Sequence, residues 1–174
     1  DLNLHPLHLC LAGDSAGGGL AVVSYLLAGD MPLPIRRLAL FYPVADLRMC
    51  SGSHERFANG LPVSHATMHW FASHYLRTSE DALDWRASPL LSEDLHRLPL
   101  TYVATAGFDP LCDEGKAFAA RLVEVGVPVW FDPYPGQIHG FVTMGRIMPE
   151  AAQAIANAVS WLKGVDANSE ESRG

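Results

Sequence analysis

The sequence is short of charge, of cysteine and of long apolar runs. Only 18% of its 174 residues are charged, and Lys and Arg (12) are outnumbered by Asp and Glu (19), for a net charge of −7. An acidic balance of this size argues against nucleic acid or an anionic membrane surface as partner. No apolar run approaches the roughly 18 residues that a membrane-spanning helix needs, so no span is expected. The three cysteines, Cys10, Cys50 and Cys112, are odd in number, scattered, and without a C-x-x-C pair. They argue against a disulfide framework or a zinc knuckle and fit a reducing compartment, hence an expected cytoplasmic location. There is no internal repeat and no low-complexity segment. The first residue is Asp1 and not Met, so the start is not read as a native translation start, and the absence of a signal peptide carries no weight. What is present is a 49% hydrophobic chain of one-domain length, able to bury a sizeable core.

Strand-like and helix-like segments alternate. Leu7 to Ala12, an apolar run ended by glycine, reads as a buried parallel strand, and 16–28 as a helix stopped by Gly29, Asp30 and Pro32. Arg36 to Val44, Leu100 to Ala106 and Val127 to Tyr134 read as three further strands. Helices are expected over Cys112 to Val125, with Phe118, Leu122 and Val125 on one stripe, and over Pro149 to Lys163, with Ala152, Ile155, Val159 and Leu162 on another. This order predicts an α/β fold, a mostly parallel sheet covered by helices on both faces. The catalytic domain is expected over 1–163, followed by a frayed polar tail, 164–174. Asp46 to Leu98 breaks the alternation and reads as a cap inserted between two strands. Within it Ser64 to Leu76 suggests a helix with Ser64 as N-cap.

Gly13-Asp14-Ser15-Ala16-Gly17 fits G-x-S-x-G between a strand and a helix, the one context in which that pattern presents a serine as nucleophile. The glycines admit a sharp, strained turn, and the amide of Ala16, at a helix N-terminus, is placed to stabilise an oxyanion. A phosphate-binding turn is the competing reading, but there is neither G-x-G-x-x-G nor a following lysine. A serine needs a base, and the base an orienting acid. Asp109 follows the third strand directly, and His139 follows the fourth between glycines. Asp113 and Glu114 compete for the acid role, but they fall in the first turn of a helix, where a carboxylate serves the helix terminus. Asp132 lies inside a strand. Of the other seven histidines, His8 is read as a core residue, and His5, His54, His74 and His96 as surface. His65 and His69, four apart on the cap helix, have a spacing that could hold a metal, but no H-E-x-x-H accompanies them and no metal site is expected.

These motifs, "GDSAGGGLA" at 13–21, "ASPL" at 87–90, "AGFDPLCDEG" at 106–115, "LVEVGVPV" at 122–129 and "GQIHGF" at 136–141, resemble in order the hormone-sensitive-lipase-like branch of the α/β-hydrolases, the GDSAG-type bacterial esterases. The resemblance implies that Ser15, Asp109 and His139 form a catalytic triad and that 46–98 supplies half of a helical cap. It also implies an esterase for short- to medium-chain acyl esters that uses no cofactor. Two departures stand out. Cys112 replaces the arginine usual in the acid motif, and the His-Gly-Gly-Gly loop that supplies most of the oxyanion hole is absent. The chain therefore reads as the C-terminal portion of a longer hydrolase. Its serine strand would be left with a bare edge open to pairing with a second copy. A non-catalytic binding protein on the same fold and an inactive fragment are the alternatives. Trp70 and Phe71 either line the pocket or pack the cap against the sheet.

Overall fold

The computed structural model describes residues 9–29, 35–60 and 62–171. It divides into two compact units, residues 1–139 and 140–174. The first holds β1 (Leu9–Asp14), α1 (Ala16–Ala28), β2 (Ile35–Phe41), α2 (Gly52–Arg56), α3 (His65–Tyr75), β3 (Leu100–Phe108), α4 (Cys112–Glu124) and β4 (Val129–Ile138). All four strands are parallel, in the order β1-β2-β3-β4.

Position in the sheet explains the strand sequences. The two central strands are buried as continuous runs, Leu38 to Phe41 in β2 and Thr101 to Ala106 in β3, because helices or rings cover both faces. On one face Leu38, Leu40 and Val103 meet Val22 and Leu26 of α1 and Phe118 and Leu122 of α4 in a single cluster, closed by Leu95 and Leu98. On the other, Phe41 lies against Tyr102 with ring centroids 5.7 Å apart. The outer strands β1 and β4 are only partly buried. The expected stripe on α4 is therefore the one that packs. The first strand is offset from expectation: it runs to Asp14, while Leu7 and His8, like His5, Asp30 and Pro32, lie outside the described residues.

The cap segment contains helices and no strand among its described residues. Ser64 caps α3 as expected, its hydroxyl accepting from the Thr67 amide at 3.2 Å. Further along, the chain is held by short 3-10 turns at Ser79–Leu83, Pro89–Leu91 and Glu93–Arg97.

The second unit is a 3-10 turn, Phe141–Thr143, and α5, Pro149–Glu171. Two expectations change here. The helix runs on past Lys163 to Glu171, through a stretch that has no proline to stop it. Its buried stripe is Ala151, Ala154, Ala158 and Trp161, whereas Ile155 and Val159 are about two-fifths exposed. The helix is apolar on two adjacent stripes, so periodicity alone could not choose between them.

Candidate active site

Ser15 sits between β1 and α1 with φ 53° and ψ −125°, a conformation a non-glycine residue holds at a cost of about 1–3 kcal/mol. Its backbone is fixed from both sides. The Ser15 amide donates to the Phe41 carbonyl at 2.9 Å, and the Ser15 carbonyl accepts from Gly18 (3.0 Å) and Val44 (2.9 Å). The glycine requirement falls differently from expectation. A Cβ on Gly13 would run into the Gly17 carbonyl, and one on Gly19 into the Val44 carbonyl, but a Cβ on Gly17 would meet open space. The close approach is one-sided, because only the Gly13 Cβ direction points across the turn.

Asp109 and His139 meet Ser15 at the carboxyl ends of the strands. His139 Nε2 lies 2.8 Å from Ser15 Oγ, and His139 Nδ1 lies 2.7 Å from Asp109 Oδ2. The Leu111 amide donates to Asp109 Oδ1 at 2.8 Å, so the carboxylate is held at both oxygens, and its side chain is wholly buried. A carboxylate on Nδ1 keeps the proton there and leaves Nε2 free to accept from the serine hydroxyl. Tyr42, missed in the sequence, packs its ring 4.8 Å from that of His139 and is itself at φ 37°. The available signal was Tyr-Pro at the end of a strand, a turn pair next to the site. Ala16 is the first residue of α1.

The competing acids are used elsewhere. Asp132 accepts from the hydroxyls of Tyr102 (2.5 Å) and Tyr134 (2.6 Å), and burial together with Asp132 pushes the Tyr102 phenol well above its ordinary pKa. Asp113 pairs with Arg56 at 2.8 Å. Glu114 is a correction. It does not serve a helix terminus but is buried, with Oε1 accepting from the Ala45 and Asp46 amides (2.9 and 3.2 Å) and Oε2 2.9 Å from His54 Nε2. Burial pushes its carboxyl above the usual range, against the pull of His54 and the two amides. His54, expected at the surface, is 1% exposed. The reason is α2, a short helix in a stretch expected to be loop, which carries His54 inward. Ser53 beside it donates to the Pro110 carbonyl and accepts from the Asp113 amide at 3.1 Å. These contacts tie the cap to the segment that follows Asp109.

A cavity of about 340 Å³ opens over Ser15 and His139. Val44, Leu47 and Pro89 contribute to its wall, as do Met68, Phe71 and Tyr75 of α3. Phe71 lines it as one of the two expected readings had it. Trp70 does not, being 58% exposed with its ring 4.4 Å from that of His74. His74 and His96 are on the surface, as expected. Among the described residues no three metal-ligating side chains converge, all three cysteines are free, and no helix is long and apolar enough to cross a membrane.

Residues 1–143 match the family model described as alpha/beta hydrolase fold. The chain is 34% identical to an ethyl acetate hydrolase of Pseudomonas putida, covering 93% of this chain and 52% of the relative, and 35% identical to the carboxylic ester hydrolase LipN of Mycobacterium tuberculosis, covering 91% and 44%. A solved hyperthermophilic esterase from Pyrobaculum calidifontis superposes with a TM-score of 0.88 at 33% identity, covering 95% of this chain and 55% of that one. The chain spans about half the length of the curated relatives it matches. With a parallel sheet that sets a strained serine, a histidine and an aspartate at its carboxyl edge, the chain belongs to the α/β-hydrolase fold family, in its hormone-sensitive-lipase-like esterase branch.

Proposed function

We propose that this chain carries the catalytic residues of a serine carboxylic-ester hydrolase acting on short- to medium-chain acyl esters. The observation that carries the reading is the unbroken hydrogen-bonded line from Ser15 Oγ through His139 to Asp109 at the mouth of an apolar cavity. Ser15 attacks the ester carbonyl while His139 Nε2 takes the hydroxyl proton. Asp109 holds the imidazole tautomer and stabilises the imidazolium. The Ala16 amide donates to the carbonyl oxygen as it gains charge, helped by the N-terminus of α1. His139 returns the proton to the departing alkoxide, leaving the acyl group on Ser15. Water deprotonated by His139 then releases the acid. The resemblance that supports this reading calls for no cofactor.

The names of the relatives, an ethyl acetate hydrolase and a carboxylic ester hydrolase among them, support an ester as substrate. Three free thiols suit a reducing compartment such as the cytoplasm. Among the described residues β1 pairs with β2 alone, so its outer edge is where another strand, including one from a second copy, would add. The nucleophile assignment is tested with a fluorophosphonate probe, which reports Ser15 reactivity without requiring full turnover. The adduct is expected on Ser15. An adduct on Ser24 or Ser160, with Ser15 unmodified, overturns it.

A further inference from the structure

His65 and His69 take no part in the chemistry above. They stand one turn apart at the start of α3, with rings 4.4 Å apart and 17° from parallel, and their Nε2 atoms converge to 2.5 Å. The i, i+4 spacing puts both imidazoles on one face of the helix, with their Nε2 atoms within reach of a single small ion. We propose that this pair is a binding site for a divalent late transition-metal ion of the Ni²⁺, Cu²⁺ and Zn²⁺ class.

The chemistry of the donors sets the class, because neutral imidazole suits these ions and not Mg²⁺ or Ca²⁺. Metal–nitrogen bonds of about 2.0–2.1 Å place two ligands about 2.9 Å apart at a right angle and about 3.3 Å apart in a tetrahedron. The Nε2 atoms therefore have to part by less than about 1 Å, and the two rings have to turn on their χ angles so that their in-plane lone pairs meet on one ion. The backbone beneath is already fixed. Ser64 caps this turn, and Met68 between the two ligands is 5% exposed, so little ordering remains to be done on binding. His65 is half-buried and His69 exposed, which leaves a way in from solvent.

No third side chain joins them among the described residues. The His54 ring lies 6.1 Å from that of His65, but its Nε2 is engaged by Glu114. Water would complete the coordination, and the ion would exchange readily, unlike one in a closed four-ligand site. Its effect would reach the cavity, because the clamped turn belongs to the helix that contributes Met68, Phe71 and Tyr75 to the wall.

The test is Ni²⁺ binding by equilibrium dialysis and by thermal shift. It is done in a Cys50→Ser background, since Cys50 is an exposed free thiol that would compete. One saturable Ni²⁺ per chain is expected, with a rise in Tm that Mg²⁺ does not reproduce. His65→Ala and His69→Ala should each weaken binding at least about tenfold, a scale that even outer-sphere partners of a metal reach. His74→Ala, whose imidazole is on the same helix but is bonded to the Trp70 carbonyl, should leave it unchanged. Absence of saturable Ni²⁺ binding, or equal binding by His69→Ala, overturns the proposal.

Discussion

Two buried histidines in this molecule each lean on a carboxylate, and they do opposite things. His139 is 2.7 Å from Asp109 and His54 is 2.9 Å from Glu114, and all four side chains are nearly or wholly removed from solvent. What separates the pairs is the second nitrogen. His139 presents Nε2 to a serine hydroxyl that borders an open cavity, so the pair can pass a proton onward. His54 Nδ1 is buried with no hydrogen-bond partner among the described residues, and Glu114 spends its other oxygen on two backbone amides. On the proposed function the first pair carries a proton, while the second serves as a brace. A buried imidazole–carboxylate contact is thus not in itself a catalytic signature. The far side of the ring decides.

The comparison is broken most severely at the first pair. His139→Ala should slow fluorophosphonate labelling of Ser15 by several orders of magnitude, followed as the rate of adduct formation. Asp109→Asn should cost on the order of 10⁴ in the same rate, because the amide selects the wrong tautomer. Comparable slowing by Glu114→Gln, in a protein that remains folded, would erase the distinction between carrier and brace.

The second pair should answer in stability. Glu114→Ala leaves two amides and an imidazole buried without their partner and should lower unfolding free energy by about 3–5 kcal/mol, read from denaturant titration. Glu114→Gln tests the charge. Burial raises the Glu114 pKa on folding, so the native chain holds this proton more firmly than the unfolded one. Its contribution is therefore most favourable below the ordinary carboxylate value of 4.5 and declines as pH rises through the folded value. The glutamine variant should lack that slope, and an unchanged pH profile would contradict the direction of the shift.

A smaller effect separates the glycines of the serine turn. Gly17→Ala should stabilise by about 0.5–1 kcal/mol, as alanine for glycine does inside a helix with room for the methyl group. Gly13→Ala should destabilise and slow labelling, since its Cβ has nowhere to go. Trp70→Ala, at the exposed face of α3, should fall within about 0.5 kcal/mol of the parent.

The sheet and the meeting of Ser15, His139 and Asp109 were legible because each follows from something local. A strand that empties into G-x-S-x-G, then one into Phe-Asp-Pro, then one into His-Gly, places three side chains at one edge once the strands are parallel. The ties that hold the cap were not legible. Ser53 and His54 reach partners about sixty residues away, and no local pattern marks such a pairing. The stripe on α5 failed for a different reason, since Ala154 and Ile155 are equally eligible by period and only the fold decides which is buried. Glu114 was read by its position in a helix, where the general rule for acidic first turns concealed a specific use.

The placing of Ser15 at the tip of β1 makes strand register a condition of reactivity. Ala12 pairs with Ala39, Gly13 with Leu40 and Asp14 with Phe41, and the pairing already shifts between Leu9 and Cys10. A slip of one residue would turn every β1 side chain to the opposite face of the sheet. A slip of two would restore the faces but carry the serine about 6.6 Å along the strand, beyond the reach of His139. Such a chain would keep most of its secondary structure, and its circular dichroism would differ little, yet it would be chemically silent. Reactivity at one hydroxyl therefore reads out the alignment of a whole strand, with a sensitivity to folding errors that bulk spectroscopy does not have.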